Sequence, residues 1–272
     1  MKRLIVNFMF LFMVSSIVAQ DNPLNKYFDV KLKDITLIVP EKQQYKVVIK
    51  RQSLHPIENK IYGGETLKST WLMYGNDSIV WDNVRWSKID NILQEPVQTV
   101  DWNELNGRSH KIGAINDYFK EDFFSDIPGE KKEWAIMMTS DVPWFEYGWS
   151  KLDSLEFQKE YFAKDMDNKE AGIEGVYTFL FSYLKFIWSG ITLHNNEICA
   201  IVKFESLNNK MTNYWEGKMT MTGRNSYYGE LWISLNTKQT EYFRMVEDMV
   251  GEFYPNKTLF EMQRTVTINK VK

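Results

Sequence analysis

The chain has 272 residues, with 33 basic and 36 acidic side chains, three histidines and a single cysteine. So mildly acidic a chain is a poor partner for nucleic acid or anionic lipid headgroups, both of which reward clustered Lys and Arg. Cys199 has no partner for an intramolecular disulfide, and His55, His110 and His194 lie too far apart in sequence for a familiar zinc pattern.

The first twenty residues, "MKRLIVNFMFLFMVSSIVAQ", place Lys2 and Arg3 ahead of an apolar run from Leu4 to Val14, then Ser15, Ser16 and Ala19. That order predicts a secretory signal peptide cleaved after Ala19, and export to the periplasm or the extracellular space. The apolar run is shorter than the ~20 residues a span needs, so no transmembrane segment is expected after cleavage. Loss of Lys2 and Arg3 leaves 31 basic against 36 acidic side chains, a net of −5. Residues 20–272 contain no linker, low-complexity tract or repeat and read as one β-rich domain.

Between Tyr27 and Trp102, the runs "FDVKLKDITLIV", "QYKVVIKRQ", "LKSTWLMYG" and "SIVWDNV" are separated by Pro40, "YGGE" and "GND". Short β-like runs with turn punctuation predict antiparallel strands. The middle, about 113–190, predicts helices. "AINDYFKEDFF" sets Ile115, Tyr118, Phe119 and Phe123 at helical spacing, and Ser150 with Asp153 resembles a capping box opening a helix through Leu155 and Phe162. "TSDVPWFEYGWSKLD" between them reads as a loop with a turn at Pro143. It also holds the candidate catalytic pair, Asp141 and Glu146, beside Trp144 and Trp149, because carboxylates flanked by stacking aromatics suit glycoside chemistry. "DMDNKEAGIE" begins like a calcium loop at Asp165 and Asp167. Lys169, Glu170 and Val176 then break that pattern, so no metal site is expected there.

"GIEGVYTFLFSYLKFIWSGI" predicts a helix over 173–189. Val176, Phe179, Leu180, Tyr183, Leu184 and Ile187 form one stripe, and Gly190 supplies the stop. Tyr177, Phe181 and Trp188 lie beyond that stripe and widen the apolar arc past what one sheet face covers. They are the candidate ligand-binding residues, together with Trp144 and Trp149.

After Ile191 the strand pattern returns. "ITLHNNEICAIVKFES" turns at Asn195-Asn196, and "YWEGKMTMTGRNSYYGELWISL" is expected to break between Gly223 and Asn225. "TEYFRMVEDMVGEF" fits either period and is assigned as strand, since neighbours in a meander pair. "FEMQRTVTINKV" alternates Phe260, Met262, Val266 and Ile268 on one face, with Arg264 interrupting.

Strands before and after a helical middle, behind a signal peptide, resemble the curved half-barrel of periplasmic lipoprotein carriers of the LolA and LolB type. "GELWISLNTKQTEYFRMVED" is similar to the hairpins such proteins use. The resemblance implies an α+β fold, in which a curved antiparallel sheet carries helices on its concave face over an apolar concavity that accepts acyl chains. The leading expectation is a secreted binding protein for an apolar or amphipathic ligand such as a lipid, with no cofactor. The alternatives are a cell-envelope glycan-binding protein or glycosidase, and a structural envelope protein working through protein contacts. Neither ligand identity nor oligomeric state follows from the sequence.

Overall fold

A computed structural model describes residues 24–56, 61–75, 77–89, 96–112, 124–128, 132, 135, 142–173, 177–215 and 218–271. The chain divides into two compact units, residues 1–30 and 31–272. In the first, Asn25–Tyr27 make a single 3-10 turn.

The second unit is one antiparallel sheet. Its strands are β1 (Lys42–Leu54), β2 (Ile61–Tyr74), β3 (Ser78–Ile89), β4 (Pro96–Asp101), β5 (Ser109–Lys111), β6 (Glu160–Phe162), β7 (Glu170–Ile173), β8 (Tyr177–Leu180), β9 (Lys185–His194), β10 (Glu197–Trp215), β11 (Lys218–Ser234), β12 (Thr240–Phe253) and β13 (Thr258–Lys270). Their order is β4-β3-β2-β1-β13-β12-β11-β10-β8-β7. The outer side of β3 is shared by β4 and β5, and that of β10 by β8 and β9, with β6 beyond β9. β1 and β13 join the early and late strands, pairing from Tyr45↔Lys270 to Leu54↔Glu261. Among the described residues, no strand pairing closes this sheet.

The helix α1 (Val142–Lys151) lies on the inner face of this sheet. Pro143 falls in its first turn, where the missing N–H has no acceptor to serve and the fixed φ already suits a helix. Phe145, Gly148, Trp149 and Leu152 recur at i, i+3, i+4 and i+7, which sets one stripe against the sheet. Phe145 is fully buried, its ring 5.8 Å from Tyr45, 5.9 Å from Trp71 and 5.6 Å from Phe243. At Gly148 a Cβ would sit 2.8 Å from Leu231 Cδ2, so a larger residue there would require that leucine side chain to shift.

These contacts demonstrate the curl of the sheet. Tyr147 reaches Phe186 on β9 at 6.4 Å while Phe145 reaches Trp71 on β2. β2 and β9 are six strand steps apart, about 29 Å if the sheet were flat. A ten-residue helix, roughly 10–12 Å across, touches both only because the sheet wraps around it.

Several expectations are corrected. The described residues of 173–189 are not helical: they belong to the end of β7, to β8 and to the start of β9, or lie between β8 and β9. The buried positions Phe179, Phe181, Leu184, Phe186 and Trp188 are spaced 2, 3, 2 and 2 apart. Two runs of strand alternation with one slip between Phe181 and Leu184 thus mimic a period of 3.6. Asn209 stabilises the slip by accepting a 3.0 Å hydrogen bond from the Ser182 amide. Of the helical middle, the described residues show α1, with Lys132 and Ala135 also helical. Pro143 starts that helix instead of turning a loop, and the expected helix opening at Ser150 is replaced by a helix end. Leu152–Ser154 form a 3-10 turn and Phe162 falls in β6. The expected helix in 114–123 lies outside the described residues.

Residues 28–39 form no strand. Both edges of β1 are already taken by β2 and β13, so this run cannot pair with the strand that follows it, and it contributes only the 3-10 turn Leu32–Asp34. The expected break at Gly223 is absent because β11 runs through it. A Cβ at Gly223 would lie 2.3 Å from the Val250 carbonyl, so the glycine serves close strand approach. The turn at Asn195-Asn196, both with positive φ, and the assignment of 240–253 as strand agree with the structure.

Candidate functional site

A half-open cleft of about 410 Å³ lies where the C-terminal end of α1 meets the β11–β12 turn, within the size range of small-molecule sites. Its apolar walls are Leu37, Tyr45, Met73, Ile112, Trp149 and Leu152. Gln43, Asp153, Lys238, Gln239 and Thr240 supply a polar side.

Each wall is held by a specific contact. Trp149 packs at 4.7 Å, tilted by 59°, against Phe145 and donates its indole N–H to Thr240 Oγ1. The Tyr45 hydroxyl donates within reach of both Gln43 Oε1, at 2.9 Å, and the Thr240 carbonyl, at 3.2 Å. Burial, and then the neighbouring Glu241, raise the pKa of this phenol, so it stays neutral. Across the mouth, the Ile38 amide donates to the Thr237 carbonyl at 3.0 Å and Gln239 donates back to the Ile38 carbonyl. The run that forms no strand is thereby strapped beside the cleft with Leu37 and Ile38 exposed.

The turn that presents the polar side is tightly determined. Ser234 Oγ accepts the amides of Asn236 and Thr237, each at 3.1 Å, and donates to Glu197 at 2.9 Å. Asn236 Nδ2 donates to the same carboxylate. The Lys238 amide returns to the Ser234 carbonyl at 2.9 Å, which holds Lys238 at φ +59, a left-handed conformation that non-glycine residues seldom adopt. Lys238 Nζ is paired with Asp153, and Lys270 ties down Gln239 from behind at 2.8 Å.

Of the residues singled out in the sequence, Trp149 lines this cleft. Glu146 does not. It shares a 2.7 Å hydrogen bond with His110 on β5, and both side chains are almost wholly buried. This pair fastens α1 to the sheet beneath it. Asp141 lies outside the described residues. Trp188 is fully buried, donating to the Gly190 carbonyl at 2.8 Å with its ring 5.4 Å from Phe157. Phe181 is buried at 6.3 Å from Tyr227. Trp144 falls in α1 and Tyr177 in β8, and the side chains of both lie outside the described residues. Tyr45 and Lys238 were missed because the wall residues are drawn from separate segments between Leu37 and Thr240, with no shared motif. The hairpin turn around "SLNTKQ" was the one available signal.

Among the described residues, no three His, Cys, Asp or Glu side chains converge as a metal site would require. Nor is any helix there long and apolar enough to cross a membrane.

No protein-family model matches this chain, and no curated protein does. Among solved structures, it is similar to a lipovitellin chain studied for its lipid–protein interactions, with a TM-score of 0.44 and 9% identity. The match covers 86% of this chain and 25% of the lipovitellin chain, so the protein spans about a quarter of the length of that neighbour.

Proposed function

We propose that the protein is an exported binding protein for a small amphipathic ligand, held in the cleft between α1 and the β11–β12 turn. The observation that carries this reading is the make-up of the cleft. An aromatic and aliphatic wall faces a polar side built on a turn fixed by five hydrogen bonds. Apolar walls with a few placed polar groups are what small-molecule sites use to combine affinity with orientation. The glycosidase alternative has less support, since Glu146 is buried against His110 and is absent from the cleft lining. Export is proposed from the charged and apolar pattern of residues 1–19.

Native mass spectrometry of protein purified from its own host tests the reading, with a retained small molecule expected as added mass. A bare polypeptide mass, combined with no uptake of any amphiphile offered in excess, would contradict it. N-terminal sequencing of the exported protein is expected to begin near Gln20, and a chain still starting at Met1 would remove the export proposal.

A further inference from the structure

We infer that the ligand of the cleft is an aliphatic anion, and that Lys238 holds its charged group by exchanging Asp153 for it. This rests on the reading of the cleft as a ligand site and names the chemistry it selects. The two members of the Lys238–Asp153 pair are unequally placed: the Lys238 side chain is 13% exposed and that of Asp153 is 68% exposed. The lysine is thus built into the wall, while the aspartate reaches it from the rim. An exposed carboxylate loses little by turning out to water, because surface ion pairs contribute little to stability. The lysine side chain, packed into the wall along most of its length, is less free to turn away, and its ammonium remains in place to meet another counter-charge. An incoming carboxylate or phosphate can therefore take the place of Asp153 without leaving a buried charge unpaired.

The backbone supports the same assignment. Lys238 keeps its left-handed φ because Ser234, Asn236 and Glu197 over-determine the turn. The lysine is thereby presented to the cleft from a fixed backbone position. The surroundings then fix the orientation of the ligand. Leu37, Met73, Ile112, Trp149 and Leu152 offer an aliphatic chain apolar surface or ring, so the charged end is directed to the polar side, where Lys238 is the cationic group among the lining residues. A cationic amphiphile would find the Asp153 carboxylate already paired with the lysine built into the wall and would meet like charge there.

Calorimetric titration with dodecanoate, dodecyl phosphate, dodecanol and dodecyltrimethylammonium, each below its micelle concentration, tests this. Wild-type protein is expected to bind one or both anions at least tenfold more tightly than dodecanol, and the cation most weakly. The preferred anion distinguishes a free carboxylate from a phosphate head. Lys238→Met is expected to lower anion affinity about tenfold more than dodecanol affinity. Asp153→Asn, which removes the internal competitor, is expected to tighten anion binding several-fold. Thermal melting of each variant separates loss of fold from loss of binding. Equal affinity for dodecanol and both anions, or anion binding unaffected by Lys238→Met, would overturn the inference while leaving the cleft a ligand site. Failure of all four amphiphiles to bind folded wild-type protein would overturn the ligand-site reading itself.

Discussion

The inner face of the sheet has two regions that are stabilised by different physics. Around α1 it is apolar and aromatic: Tyr45, Trp71, Trp81, Phe145 and Phe243 interlock with ring centroids 5.4–5.9 Å apart. About 20 Å further along the strands, the same face carries a polar row. Lys88, Glu65, Arg51, Arg264, Glu247, Tyr227 and Ser206 stand opposite one another in sequence across seven neighbouring strands. Arg51 and Arg264 are direct cross-strand neighbours of like charge, ordinarily a destabilising pair. Each is offset on its far side, Arg51 by Glu65 at 2.8 Å and Arg264 by Glu247, whose other oxygen accepts from Asn225 at 2.7 Å. The apolar region is non-directional and tolerates exchange of like for like. The polar row fixes register, because a one-residue slip would move every charge to the other face.

The comparison predicts opposite responses to substitution. Glu247→Ala removes one partner of a buried pair, and urea unfolding is expected to show a loss of about 3–5 kcal/mol. Replacing both partners, as in Glu247→Leu with Arg264→Met, is expected to restore stability to wild-type level or above. A double variant as damaged as the single one would show that the row contributes more than charge compensation. In the apolar region, Phe145→Ala is expected to cost about 3–5 kcal/mol through lost burial and the cavity left behind. Met245→Leu, two residues from Glu247 on the same strand and fully buried, is expected to cost under about 1.5 kcal/mol. A larger loss for Met245→Leu would remove the distinction between the regions.

Two smaller effects sharpen the same picture. Burial pushes the Cys199 thiol up to about 12, with Glu241 and Glu197 adding to the shift. Native protein at pH 8 is therefore expected to react with iodoacetamide at the rate of unfolding, and fast labelling would show an open edge at β10. Glu65 has a raised pKa because its burial outweighs the neighbouring Arg51. The folded state therefore binds its proton more tightly than the unfolded state. Stability contributed by the protonated form is complete below the unfolded carboxylate value and declines as pH rises through the raised folded value. Glu65→Gln is expected to flatten that small decline in urea melts as pH rises above the ordinary carboxylate range.

The comparison also explains which parts were legible in sequence. In β13 one buried face alternates cleanly, and Phe260, Met262, Val266 and Ile268 identified it even with Arg264 among them, whereas 240–253 fits either period and is assigned from its neighbours. Arg264 interrupted the apolar pattern yet is itself buried, because Glu247 meets it across the sheet, a pairing that no local pattern encodes. In 173–190 the single slip between Phe181 and Leu184 produced a false helical period, and the Asn209 bond that stabilises it lies 27 positions away. The cleft was least legible of all. Trp149 was singled out for sugar stacking, whereas its place in the wall depends on Thr240, 91 positions along the chain.

The central claim, that the cleft beside α1 is where a ligand sits, is tested most directly by filling it. Leu37 lines the cleft from an exposed position outside the sheet, so Leu37→Trp should occupy the cleft without disturbing the core. Titration of wild-type and Leu37→Trp protein with the uncharged fluorophore N-phenyl-1-naphthylamine is expected to show binding to the wild type and at least a tenfold loss in the variant, at unchanged melting temperature. Equal binding by both proteins would place the apolar site elsewhere and contradict the account.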